Sequence, residues 1–431
     1  MQNYPDHVVE YEKNNLIASL TPYINHPVWG LDETKDDEKF DDILKIYREE
    51  NRDASIIGDY LSLPFNKSSE VLVYNKDIFS RILAANDLDE MPETWDDLFE
   101  LGQSFIDAAV DEIDRIAAAW AAAGDPVKPD DIAKFKQTFF PYIYDSVGNA
   151  FITLTRQFDG RYTTRKVVTD NNGQKIAKGI LEFNKEDNTE VRQMLEIFGK
   201  NRKYINIPEF WDEKYASSGF IKGRTFAAIG STAGVRYNAP LKDNKKIFNI
   251  GVAPIPYDKT LGKPKVIQQG TNMSIVNRQP SGEVTAQMLK EKRLASWLFL
   301  KYLISSEVQE QFSIATGYSP VRASVYERAV YKAFLAKADL NFDDQTTVVK
   351  GEYEEHLRAL AVLAAKKQTD AFYYDAPFVG SSATRNAVGG AFKDVMTIEK
   401  TNPNADLETL RRIIREALQR AYDLAIKVVG E

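Results

Sequence analysis

The sequence predicts a two-lobed α/β protein, and three observations carry the prediction. At 431 residues the chain exceeds what one hydrophobic core usually serves. Short alternating runs, of which Glu70-Val71-Leu72-Val73-Tyr74 is the clearest, read as strands. Between them lie longer runs in which apolar residues recur at i, i+3 and i+4, as Trp297, Leu298, Leu300, Leu303 and Ile304 do, which winds them onto one face of a helix.

Composition narrows the classes. A net charge of −8 with 27% charged residues spread along the chain suits a soluble protein and argues against a nucleic-acid partner, which would want a basic face. With no cysteine, disulfide frameworks and thiolate sites are excluded. His7, His26 and His356 fall in no HxxxH or HxH spacing, so no metal or cofactor is expected. No run approaches the ~20 apolar residues of a membrane span, and residues 1–20 lack the charged-then-apolar pattern of a leader.

In chain order, Tyr4-Pro5-Asp6 followed by Val8, Val9 and Tyr11 reads as a loop entering a short helix, with Asp6 able to serve as a capping residue. Residues 31–54 are dense in charge, with Phe40, Ile43, Leu44 and Ile46 at helical spacing, and read as a solvated surface helix. After the strand at 70–74, Asn75-Lys76-Asp77 turns into a helix, and Thr94 caps another whose first turn carries Asp96 and Asp97. A helix from Phe105 to Ala123, with Ile113, Ile116 and Trp120 on one face, is broken by Gly124 to Pro129. Tyr162–Phe183 reads as a surface hairpin around Asp170-Asn171-Asn172-Gly173.

Phe226, Ala228 and Ile229 read as buried strand, followed by Ser231, Thr232 and Gly234 at its carboxyl end, where open α/β sheets place ligands. The run Gly230 to Gly234 lacks the spacing and the lysine of a phosphate loop, so a nucleotide site is rejected. Ile250–Pro256 reads as a strand with its exit, and Lys259–Lys265 as a turn. Ser305, Ser306 and Glu307 open a second helix that pairs with the one bearing Trp297; Gly317 and Pro320 end it, leaving Tyr318 at a backbone-fixed exit. Residues 329–366 form amphipathic helices, an aromatic concentration runs from Phe372 to Phe378, and Leu410, Ile413, Ile414, Ala417, Leu418 and Ala421 stripe a final helix.

Three phrases, GDYLSLPFNKSSEVLVYNKDIF, GFIKGRTFAAIGSTAGV and ASWLFLKYLISSEVQEQFSIATGYSPVRASVYE, resemble the family 1 extracellular solute-binding proteins, receptors of bacterial ABC importers for sugars and related polyols. The resemblance implies an α/β periplasmic-binding-protein-like fold of type II, an N-lobe from residues 1–72 with 266–318, and a C-lobe from 73–265 with 319–431. It also implies an interlobe cleft bordered by Tyr4 and Asp6, by Asn66, Ser68 and Ser69 at the first crossing, and by Gly270, Thr271 and Asn272 at the second. Phe158, Ser231, Thr232, Tyr373, Tyr374, Phe378, Ser381 and Arg385 face it from the C-lobe, and Tyr318 sits at its mouth. For Phe158, Tyr318, Tyr373, Tyr374, Phe378 and Ser381, ordinary core packing is the competing reading, and for Asn66, Ser68 and Ser69 a polar turn. The opening MQNYPDHVVEYEKNNLIASLTPYI resembles a segment that lies well inside the family's chains, so a missing front to the N-lobe is expected. By the same resemblance the full-length protein is extracellular or periplasmic, a membrane-tethered lipoprotein and a monomer, which closes about its hinge on a small sugar and hands it to permease subunits.

A cleft lined by aromatics, hydroxyls and amides without a paired catalytic set suits binding rather than turnover. A glycoside hydrolase would need carboxyl pairs about 5–9.5 Å apart, and an interaction adaptor a large exposed apolar patch. LPFNKSSEVLVYNKDIF and ATGYSPVRASVYE most resemble the glycerol-phosphate receptors, whose loop before the C-lobe helix carries a phosphate-holding arginine. Counting back from Arg385, that position falls near Pro377 and Phe378, which offer no cation. The expected ligand is therefore a neutral sugar or oligosaccharide stacked on Phe378, with glycerol 3-phosphate or a glycerophosphodiester second.

Overall fold

The computed structural model describes residues 1–430 apart from Asn171, Lys263 and Pro403. Asn171 in the expected hairpin turn and Lys263 in the turn expected at 259–265 therefore lie outside the described residues.

Two sheets organise the chain. Five strands in the order Ile250–Ala253, Glu70–Asn75, Ala227–Ser231, Tyr142–Tyr144 and Ile205–Asn206 make the larger one, antiparallel at its first two pairings and parallel at its last two. Val71, Leu72 and Val73 are all buried, so both faces of this sheet are covered and the side chains do not alternate between core and water. Helix Trp95–Ala122 runs unbroken across one face, starting where Thr94 Oγ1 accepts from the Asp97 N–H at 3.3 Å; it begins ten residues earlier than the apolar run at Phe105 suggests. Phe105 packs its ring 4.6 Å from that of Phe79. The hairpin forms from Thr163–Thr169 and Lys175–Leu181.

The smaller sheet joins Gln2–Asn3, Gln269–Met273 and Leu63–Ser68, all antiparallel. A separate core covers it, with Leu20, Ile43, Leu300, Ile304 and Val321 gathered around Trp297. Trp297 is fully buried, stacks on Tyr23 with centroids 5.9 Å apart, and donates its indole N–H to the Trp29 carbonyl at 2.8 Å. Helix Ala286–Leu303 carries it, and the following helix Ser306–Thr316 is capped by Ser305 and ended by Gly317 in the left-handed region at φ 82°.

Membership of the two sheets moves the lobe boundaries. Strand Glu70–Asn75 belongs to the larger sheet from its first residue, so the first crossing is at Ser69 rather than after residue 72. Val266–Ile267 pair in parallel with Phe372–Tyr373 of the larger lobe, and Gln269 already pairs in the smaller sheet, so the return is at Gln268. Beyond residue 318, Val321 still lies in the smaller core and Arg322 bonds Asp42 at 3.2 Å, which puts the last crossing after Arg322. The charged stretch 31–54 is also not one surface helix: only Lys45–Asp53 is α-helical, and it turns Tyr47, Glu50 and Asn51 inward. Two of these inward residues are polar because they meet polar crossing strands, a contact that hydrophobic periodicity cannot report.

Trp297→Ala should lower the unfolding free energy by about 3–5 kcal/mol through lost transfer energy and a residual cavity. Urea denaturation reads this directly. A change below about 1 kcal/mol would show that the smaller core does not depend on this side chain.

Candidate ligand cleft

The crossings bring side chains of both lobes around one cavity of about 350 Å³. Tyr4, Pro5, Asp6, Glu50 and Gly270 line it from the smaller lobe, Ile267, Gln268 and Gln269 from the return crossing. Ile152, Tyr162, Thr163 and residues 374–378 line it from the larger lobe, with Ser381, Ser382, Arg385 and Asn386 of the helix Ser381–Met396. Its size falls at the lower end of the range for small-molecule sites.

Its floor is polar and tightly committed. Lys67, fully buried, donates to Glu50 Oε2, and burial holds its ammonium below the usual lysine range against the pull of that carboxylate. Gln268 Nε2 donates to the other Glu50 oxygen at 2.6 Å, and its own amide oxygen is buried without a partner among the described residues. On the far side of the crossing, Glu70 accepts from the Tyr144 hydroxyl and from Asn149 Nδ2, both at 2.6 Å. Burial pushes Glu70 up to about 7 despite those two donors. Asp375 is paired with Arg156 through one oxygen, its second oxygen is buried without a partner among the described residues, and burial raises it from its ordinary value. Arg385 is the cation of the wall: it forms no ion pair among the described residues, and its hydrogen bond there, Nη2 to Gln269 Oε1, is 3.4 Å long. Its stem lies across Gly148, where a Cβ would come within 3.1 Å of Arg385 Cγ.

Gly270 is required by its backbone. Its φ is +124°, and a Cβ there would lie 2.0 Å from the Asn66 carbonyl oxygen. Along one rim the lobes touch. Tyr374 donates its hydroxyl to Asp53 Oδ2 at 2.9 Å, Ser382 donates to Asp6, and Val9 packs with Ala177 and Phe378.

Of the residues expected at the site, the structure brings Tyr4, Asp6, Gly270, Tyr374, Phe378, Ser381 and Arg385 to the cavity wall. Phe378 cannot present a stacking face: it is 2% exposed, with its ring packed over Gly179 and against Val9 and Ala177. Ser381 spends its hydroxyl on the Phe378 backbone. Asn66 and Thr271 bond each other and Gln2 within the smaller sheet, and Asn272 is buried beside Asn51. Ser68, Ser69 and Thr232 are buried at the first crossing outside the cavity wall, with the Ser69 and Thr232 hydroxyls without a partner among the described residues, and Ser231 lies beside them at the end of its strand. Phe158 packs on Phe198 in the larger core, Tyr373 donates to Thr153 at 3.2 Å, and Tyr318 stacks on Phe312, 5.8 Å away, outside the wall. Sequence reasoning missed Glu50, Gln268, Gln269 and Asp375. The glutamine pair directly before Gly270 and the lone acid inside the aromatic run were the available signals.

Among the described residues no cluster of histidine and carboxylate side chains could hold a metal ion, and no helix is long and apolar enough to cross a membrane.

A family model described as bacterial extracellular solute-binding protein matches residues 2–339. The sn-glycerol-3-phosphate-binding periplasmic protein UgpB of Yersinia pestis is 26% identical over 282 residues, 64% of this chain and 52% of the relative. Its Escherichia coli K12 counterpart is 26% identical over 284 residues, 65% of this chain and 53% of the relative. The matched chain thus spans about half the length of these relatives. Among solved structures, the sugar-binding protein MalE from Xanthomonas citri superposes with a TM-score of 0.60 at 15% identity, over 99% of this chain and 83% of that one. UgpB from Mycobacterium tuberculosis in complex with glycerophosphocholine gives 0.58 at 14%, over 98% and 83%. At such identities the likeness is one of fold.

The raised Glu70 makes stability depend on pH. The folded chain keeps a proton there that the unfolded chain releases near the ordinary value of 4.5. The stability this contributes is complete below that value and is lost as pH rises through about 7; Asp145, pushed up to about 6 by burial, acts in the same direction. Each group adds a slope of at most about 1.4 kcal/mol per pH unit in its window. Urea midpoints measured from pH 5 to 8 should fall more steeply in the parent than in Glu70→Gln, and parallel curves would remove Glu70 as a source.

Proposed function

The chain belongs to the bacterial extracellular solute-binding protein family, and we propose that it acts outside the cytoplasmic membrane as the receptor of an ABC importer. It takes up a small polyhydroxylated ligand in the interlobe cleft and passes it to the permease subunits. The observation that carries this reading is one cavity of about 350 Å³ walled by polar side chains from both lobes at the crossings. A ligand held there contacts both walls, so binding and lobe closure are one event, and the closed surface is what a permease can recognise. Binding rather than turnover follows from the state of the cleft carboxylates: Glu50 is committed to Lys67 and Gln268, Asp375 to Arg156, and Asp6 to Ser382. Tethering through a lipidated cysteine and a monomeric state rest on the family resemblance alone.

A neutral sugar is the first reading, because the cavity offers several acceptor oxygens and, among the described residues, one cation without an ion pair. Stacking on Phe378 is no part of it, since that ring is buried. One observation favours the second reading, a phosphorylated polyol. The Arg385 guanidinium lines the cavity without an ion pair among the described residues, and it could meet a phosphate through charge-assisted bonds. The names of the glycerol-phosphate-binding relatives point the same way.

Isothermal titration with glucose, maltose and glycerol 3-phosphate decides between them. Saturable one-to-one binding of a sugar with none of the phosphate is the expected result. Tight binding of glycerol 3-phosphate alone, lost at least tenfold in Arg385→Met, would establish the second reading, and release of shorter sugars from maltooligosaccharides would overturn the receptor.

A further inference from the structure

We infer that Asn149 and Gln269 are positioning residues: together they join the buried carboxyl of Glu70 to Arg385 and hold the Arg385 guanidinium where it meets the ligand, an inference that rests on the receptor reading above. Asn149 is 2% exposed and Glu70 1%, and neither lines the cavity, whereas Gln269 and Arg385 both do. The contacts form one chain. Arg385 Nη2 donates to Gln269 Oε1 at 3.4 Å, and Asn149 Nδ2 donates to the same oxygen at 3.3 Å and to Glu70 Oε1 at 2.6 Å. The Tyr144 hydroxyl closes the chain on Glu70 Oε2, also at 2.6 Å.

The order of donors and acceptors is set from the cavity end. A guanidinium can only donate, so Gln269 must turn its amide oxygen towards it. With that oxygen also facing Asn149, Asn149 must offer its NH₂, and Glu70 Oε1 is left to accept. Turning Asn149 over would set oxygen against oxygen, and turning Gln269 over would set an NH₂ group against the guanidinium. The head of Arg385 is thus restrained by a chain of fixed polarity. Its stem is held separately, across Gly148, the residue before Asn149 on the helix Val147–Gln157. Gln269 opens its strand in the smaller sheet directly after the return crossing, while Asn149 and Arg385 belong to the larger lobe, so the guanidinium is set relative to both lobes. A free arginine side chain loses much rotamer freedom when a ligand orders it, and a restraint already in place leaves less to lose on binding.

The test is a double-mutant cycle read by calorimetry with whichever of glucose, maltose and glycerol 3-phosphate binds. Arg385→Met should weaken that ligand about tenfold or more, as loss of a charged hydrogen-bond donor does. Asn149→Leu should weaken it about fivefold or more in the parent and less than about twofold in the Arg385→Met background, because a residue that acts through Arg385 then has nothing left to position. Gln269→Met runs the same cycle, so the test stands if Asn149→Leu does not fold. Equal losses in both backgrounds would mean that these side chains act on stability or touch the ligand themselves, and would overturn the assignment. Binding within about twofold of the parent by Arg385→Met, or by the folded Asn149→Leu or Gln269→Met variant, would overturn it as well, in each case leaving the receptor intact. Should the unmodified protein bind none of the three, the receptor reading falls and the assignment with it.

Discussion

The cleft depends on the ion pair between Lys67 and Glu50, whose side chains are 0% and 4% exposed. Burying two charges costs more than their attraction returns unless further hydrogen bonds complete the arrangement. Here Gln268 supplies one, and the Gly270 carbonyl accepts a longer contact from Lys67 at 3.4 Å. The pair thus ties together the helix Lys45–Asp53, the outgoing strand Leu63–Ser68 and the return segment at Gln268, of which the first two also meet in the smaller core through Tyr47 and Leu63. Removing either partner would leave the other charge buried and unpaired, which typically costs about 3–5 kcal/mol. A hydrophobic replacement of both could hold the fold, but it would free the Gln268 amide to turn.

From that fixed point the polarity of the cavity follows. Acceptor oxygens gather near the return crossing and the aromatic loop, at Gln268, Gln269 and Asp375, while Arg385 approaches from the helix Ser381–Met396. Gly148 gives the arginine stem room, since a Cβ there would come within 3.1 Å of Arg385 Cγ.

Much of the fold was legible in the sequence because it is written in local chemistry. Ser305 and Gly317 bound the helix Ser306–Thr316 as their side chain and backbone freedom require, and Thr94 caps its helix. The site was read less well, for two reasons. Hydroxyl and amide residues at crossings were expected to face a ligand, yet Asn66 and Thr271 bond each other across adjacent strands, a non-local pairing that spacing does not reveal. Phe378 fell in the cavity wall, but whether an aromatic ring shows its face or its edge depends on the packing of Val9 and Ala177 from distant segments. Glu50 was hidden in a run of charge whose helical phase only the inward-facing Tyr47 and Asn51 disclose.

The contacts along one rim, Tyr374 to Asp53, Ser382 to Asp6 and Val9 to Phe378, hold the lobes together on that side and make the three crossings a natural axis of movement. The central claim is that the cavity is closed by the lobes around a bound solute. Small-angle scattering of the protein with and without a saturating concentration of the ligand that binds in calorimetry tests it most directly. A smaller radius of gyration and a shortened maximum dimension on binding are the result the two-lobed account predicts. Identical scattering curves under saturation, with binding verified in the same sample, would contradict it.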